Sequence, residues 1–195
     1  MKLIYTLLLT LTCATLSTAQ TENPWVLGAG WSGFDDDGKR FEEVLHVRKN
    51  WVTMWLPNSF SIEKQMNSMF SVELAENANS YDIGDLRDGQ PQTSTYAFMA
   101  LDVLGKYHVN SAYKKFMWFD PFVSAGTGLT LRRSDLGGTL NIGFGATFWV
   151  TEKVGLSAQS LAKFGLGTGS YLQHSGTVKI RIADKKIERP TSLPN

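Results

Sequence analysis

From Gly138 to Phe164 the chain keeps a two-residue alternation through two segments and one short interruption, the pattern of a β-hairpin rather than a helix. Leu140, Ile142, Phe144, Ala146, Phe148 and Val150 form an apolar row, with Thr139, Asn141, Gly143, Gly145, Thr147 and Trp149 on the other face. Thr151-Glu152-Lys153 reverses the chain. Val154, Leu156, Ala158, Ala162 and Phe164 then resume the apolar row against Gly155, Ser157, Gln159 and Lys163. Alternation alone does not say which face meets lipid or water. Three features point to lipid on the apolar face: the length, since roughly 9–11 residues cross a bilayer as a tilted strand; the small, polar opposite face; and the very short turn.

The opening residues agree with export. Met1-Lys2, an apolar run from Leu3 to Leu11 and the small residues up to Ala19 have the form of a secretory signal peptide over 1–19, with cleavage before Gln20. No later segment approaches the run of about 18 apolar residues that a helical span needs, so membrane residence requires a barrel. Cys13, the only cysteine, leaves with the signal, and the remaining chain has no thiol chemistry. Beyond the signal, 18 basic residues face 18 acidic ones, which gives no electrostatic case for nucleic acid.

The same period recurs along the chain. A first strand covers Trp25 to Phe34. A long connection from Asp35 to about Pro57 follows, with Asp35-Asp36-Asp37-Gly38 read as solvated loop and Phe41, Trp51 and Trp55 as aromatics that fold the loop back on itself or pack it across the barrel mouth. Further strands are expected at Ser59–Lys64, at about Ser68–Glu76 and at about Thr95–Tyr107, with residues 77–93 as a second long loop. The connection from His108 to Asp120 carries Lys114, Lys115, Phe116 and Trp118, a candidate contact for a partner protein. A strand at Pro121–Leu131 and the charged loop Arg132-Arg133-Ser134-Asp135 lead into the hairpin, and a last strand ends at Ile182. The sum is an all-β fold, an eight-stranded antiparallel transmembrane up-and-down β-barrel over 20–183, followed by a short periplasmic tail at 184–195.

This phase turns Leu140, Ile142, Phe144, Phe148, Leu156, Phe164, Val178 and Ile180 toward lipid. It collects Glu63, Glu73, Asp102, Lys106, Lys163, Lys179 and Arg181 inside, an expected interior charge network, because eight strands leave a lumen just wide enough for side chains. Trp149 falls on the inward face, where it is expected to plug the periplasmic end.

Asn23-Pro24-Trp25-Val26-Leu27-Gly28, Asp35-Asp36-Asp37-Gly38, Lys49-Asn50-Trp51, Trp118-Phe119-Asp120-Pro121-Phe122 and Leu172-Gln173-His174-Ser175 occur in this order. Together they resemble the amino-terminal barrel of the outer-membrane protein A-like (OmpA-like) family, over most of the mature chain. The resemblance implies a Gram-negative outer-membrane location, four loops outside, both ends of the chain in the periplasm and a plugged interior. Many members of that family continue into a peptidoglycan-binding domain. Here a twelve-residue polar tail, Asp184 to Asn195, follows the last strand instead, so peptidoglycan binding is not carried over.

The expected function is a structural or partner-organising outer-membrane barrel in contact with outer-membrane lipids and with other outer-membrane or periplasmic proteins. Three alternatives stand beside it: a narrow pore for ions or small solutes, a lipid-modifying enzyme, and a secreted soluble barrel for a small apolar ligand. Catalysis is not expected. His174 and Ser175, adjacent on a strand, point to opposite faces, and His46 and His108 are assigned to opposite membrane sides. No spacing of His, Cys or acids suggests a metal, and no glycine loop suggests a phosphate-bearing cofactor.

Overall fold

The computed structural model describes residues 24–36, 51–54, 56–87, 89–109, 118–166 and 169–182. Residues 1–19, expected as a signal, residues 184–195, expected as a tail, Phe41, His46, Trp55, Lys114, Lys115 and Phe116 lie outside the described residues. In chain order the strands are β1 (Trp25–Asp35), β2 (Trp51–Thr53), β3 (Ser59–Gln65), β4 (Phe70–Tyr81), β5 (Leu86–Arg87), β6 (Gln90–Pro91), β7 (Tyr96–His108), β8 (Phe119–Arg132), β9 (Asp135–Trp149), β10 (Val154–Leu166) and β11 (Tyr171–Ile182). The sheet runs β11-β10-β9-β8-β7-β4-β3-β1 and closes through β11 and β1, antiparallel throughout. This is a closed eight-stranded barrel. The short β2 is added to the far end of β1, and β5 and β6 form a separate small hairpin.

Trp25 and Ile182 are paired at one rim, called here the terminal rim; the opposite rim is the far rim. The outer wall is apolar. Leu140, Ile142, Phe144, Phe148, Leu156, Phe164, Val178 and Ile180 are all exposed, as are Phe60, Leu101, Val103, Val123 and Leu129 on the neighbouring strands. A continuous apolar belt of this kind would be a severe liability in water and is the normal surface of a barrel in lipid. The polar residues are turned inward, and buried Glu, Asp, Lys and Arg side chains fill the lumen.

Local chemistry fixes the short turns. Between β9 and β10 the Thr151 hydroxyl accepts the amides of Lys153 (3.2 Å) and Val154 (2.9 Å). Between β3 and β4 the Asn67 side-chain carbonyl accepts those of Met69 (2.8 Å) and Phe70 (2.9 Å). Both are side-chain mimics of a backbone turn.

Several boundaries differ from the sequence reading, three of them at polar residues. β4 runs on to Tyr81, so residues 77–81 are strand rather than loop: Asn77, Asn79 and Tyr81 are buried and continue the inward row. Residues 132–135 are not a loop either. Arg132 closes β8, Asp135 opens β9, and only Arg133 and Ser134 turn, with Arg133 in the left-handed region at φ 60°. His108 is the last residue of β7, buried and inward, rather than part of a turn. In each case a polar residue was read as loop where the barrel interior requires a polar residue on a strand.

Candidate functional site

The lumen is the one place where polar side chains from all around the barrel converge, and it is built in three layers. Nearest the terminal rim, Glu63 on β3, Glu73 on β4, Lys106 on β7 and Lys179 on β11 meet. The Lys179 ammonium bonds Glu63 and also reaches Glu73 Oε2 at 2.6 Å. Lys106 Nζ lies 2.8 Å from Glu73 Oε2 and 3.5 Å from Glu63 Oε2, and 4.4 Å from the Phe122 ring centroid. The Ser71 hydroxyl donates to Glu63 Oε1 at 2.7 Å and shares a 2.8 Å hydrogen bond with His108 Nε2, while His108 Nδ1 lies 2.9 Å from Asp120 Oδ2. Glu63 and Asp120 flank the ring, and protonated His108 donates from both ring nitrogens. Three cations, Lys106, Lys179 and His108, then balance Glu63, Glu73 and Asp120. Such a set tolerates burial because each charge is both paired and hydrogen-bonded.

The middle layer is a separate pair. Asp102 Oδ2 accepts from Lys163 Nζ at 2.7 Å, and Oδ1 accepts from Asn141 Nδ2 at 2.9 Å. Gly128 faces this carboxylate across β7 and β8, and a Cβ there would stand 2.1 Å from Asp102 Oδ1. Glycine is required at 128 so that the carboxylate can lie against the strand.

Toward the far rim the filling is aromatic. Phe34 stacks on Phe98 with centroids 4.1 Å apart, and Tyr81 and Tyr171 stand edge-on to the pair at 5.1 and 6.0 Å from Phe34. One ion pair clamps the stack: Arg132 Nη1 lies 3.2 Å from Asp36 Oδ2, which also accepts the Tyr81 hydroxyl at 2.5 Å. The Arg132 guanidinium carbon sits 4.7 Å from the Tyr171 ring centroid, and the Tyr171 hydroxyl shares a 2.7 Å hydrogen bond with Thr130.

Of the seven charges assigned to the interior by phase, four form the terminal-rim cluster and two form the middle pair. Arg181 belongs to neither. Its guanidinium lies over the Trp149 ring at 3.9 Å and donates to the Glu152 carbonyl at 2.9 Å, a rim contact beside the β9–β10 turn. The strand ends there, so a long inward side chain reaches the rim before it reaches a carboxylate. Trp149 is half-buried at the same place, opposite Gly155, whose missing side chain leaves room for the indole. Trp118 stands exposed at the terminal rim against Phe119 and Phe148.

The sequence reading missed Asp36, Tyr81, Arg132, His108 and Asp120. For Arg132 and Tyr81 the signal was present, since each continues its strand's inward period. Asp36 was concealed in an acidic run that read as solvated loop, yet it is buried. One outward pairing was also invisible: His174 Nδ1 meets Ser160 Oγ at 2.8 Å across β10 and β11, whereas Ser175 beside it has the inward phase.

No family model matches the sequence, and no curated protein matches it. Solved structures do match the fold. The N-terminal β-barrel domain of Pseudomonas aeruginosa OprF is similar with a TM-score of 0.53 and 16% identity, over 84% of this chain and 100% of that one. Neisserial surface protein A (NspA) is similar with a TM-score of 0.53 and 10% identity, over 84% of this chain and 98% of that one. At these identities the likeness is one of fold, a closed eight-stranded antiparallel barrel.

Proposed function

We propose that the chain is a structural, partner-organising β-barrel of the outer membrane, without catalytic activity and without an open pore. The observation that carries this reading is the filled lumen. A buried ionic cluster lies toward one rim, a buried aromatic stack toward the other, and the Lys163–Asp102 pair between them. In the proposed orientation the terminal rim faces the periplasm, where segment 1–19 has been removed as a signal and the 184–195 tail emerges. The apolar belt contacts the outer-membrane lipids. The connection that includes Lys114, Lys115, Phe116 and Trp118 is the proposed contact for periplasmic or outer-membrane partners. Its basic and aromatic residues suit an amphipathic surface with acidic groups.

Three measurements test the reading. Purified protein in planar bilayers should show no stable conductance; robust, stable channel openings would replace the sealed barrel with a narrow pore. Cell fractionation should recover the chain with membranes, with a heat-dependent gel shift, and recovery without detergent in the soluble fraction would remove the membrane assignment. Purification in mild detergent with identification of co-eluting proteins tests the partner role. Co-elution that survives replacement of Lys114, Lys115 and Phe116 together would move the contact elsewhere.

A further inference from the structure

The apolar outer wall carries a hydrogen-bonded polar pair across β10 and β11. Ser160 and His174 are partners in register on β10 and β11, share the outward face and bond each other, with Gly33 and Phe144 continuing their row on β1 and β9. The next outward row toward the terminal rim runs Trp31, Gly176, Ala158, Ala146 and Pro121. Its central members are small, and they leave a groove of about 720 Å³ walled by Trp31, Phe144 and Phe119. A Cβ built on Gly176 meets nothing within 4 Å, so the groove floor there is open.

The stagger of the barrel gives the groove a direction. Trp31 is close to the far end of β1, whereas Pro121 is close to the terminal-rim end of β8. The row therefore descends obliquely from Trp31 to Pro121, and the hydroxyl and imidazole flank it on the far-rim side, next to Ala158 and Gly176 on their strands.

We infer that this groove binds one membrane lipid, its acyl chain laid over Gly176, Ala158 and Ala146 and its ester or phosphate oxygens at Ser160 and His174. The inference rests on the proposed reading that the outer wall faces lipid. Polar groups on a lipid-facing wall are costly unless they find hydrogen-bonding partners. The Ser160 hydroxyl has capacity beyond its single bond to the imidazole. An amphiphile supplies acceptor oxygens at one end and hydrocarbon at the other, in the order that the groove presents. A second barrel would offer a convex sheet, which does not enter a recess between Trp31 and Phe144.

The test is native mass spectrometry of the full chain, solubilised in detergent and titrated with phosphatidylethanolamine of one chain length. The wild type should retain one lipid per chain after the micelle is stripped. Gly176→Leu fills the groove and should reduce that retention at least fivefold. Gly105→Leu, the same change at an outward glycine of β7 where a Cβ meets only the Ala125 carbonyl at 3.7 Å, should leave it unchanged. His174→Leu should weaken retention less than Gly176→Leu does. Equal retention by wild type and Gly176→Leu, equal loss with Gly105→Leu, no retained lipid in the wild type, or a dimer in place of the lipid adduct would each overturn the inference. The heat-dependent gel shift is run on every variant, with Ala158→Leu replacing Gly176→Leu if the latter does not fold. A wild type that fails to insert into vesicles removes the membrane reading itself, whereas insertion with unselective lipid loss removes only the groove.

Discussion

The two ends of the lumen fill the same narrow space with opposite chemistry. Toward the terminal rim the filling is ionic, with Glu63, Glu73 and Asp120 set against Lys106, Lys179 and His108. Toward the far rim it is aromatic, with Phe34, Phe98, Tyr81 and Tyr171 held by the pair of Arg132 and Asp36. The difference teaches where each end is vulnerable. Removing one charge from the ionic end leaves others buried without compensation, whereas the aromatic end depends on volume and on one clamp.

The largest effect is expected from Lys179→Met. It strips both Glu63 and Glu73 of their closest cation and should lower unfolding stability by about 3–5 kcal/mol, the usual result of breaking a buried pair. Urea unfolding in lipid vesicles measures it. The double variant Lys179→Met/Glu73→Leu restores charge balance and should recover at least half of the loss. If single and double variants lose the same amount, the ionic end is not acting as a balanced set.

Arg132→Met is the corresponding break in the aromatic end. Asp36 keeps the Tyr81 hydroxyl, so the loss should fall at or below the lower end of the same range, about 3 kcal/mol. A loss larger than that of Lys179→Met would reverse the ranking of the two ends. Phe98→Leu comes next. It trims a fully buried ring from the stack without touching a charge, and about 1–2 kcal/mol is the order expected for a partial large-to-small change. The same unfolding series decides whether volume counts at this end as argued.

These contrasts were legible in the sequence to different degrees. The barrel and its outward phase could be read because the exposed wall carries an apolar residue at every second position, as in Leu140, Ile142 and Phe144. The strand ends could not, because the interior accepts the residues that also make loops: Asn77 and Asn79 at the end of β4, and Arg132 at the end of β8. The pairings were out of reach for another reason. Lys179 and Glu63 are 116 residues apart, and only closure of β11 on β1 brings their side chains together. Period gives the face of a residue; the stagger of the closed sheet gives its neighbours.

Arg181 separates these two kinds of information most sharply. Its phase places it with Glu73 in one interior network, and on that ground alone both substitutions should cost the same. The geometry gives a different expectation. Glu73 is buried between two ammonium groups, and Glu73→Leu leaves them facing each other. Arg181 stands half-buried at the rim, where its guanidinium gains a stacking contact with Trp149, worth about 0.5–1 kcal/mol at a partly exposed site. Arg181→Leu should therefore lower stability by no more than about 1 kcal/mol. Its effect should also depend on the ring, so that in a Trp149→Leu background the arginine change costs less, with only the hydrogen bond to the Glu152 carbonyl left to lose. A loss for Arg181→Leu as large as that for Glu73→Leu would mean that the charge reaches the ionic cluster after all, and that the boundary between rim and lumen lies closer to the end of β11.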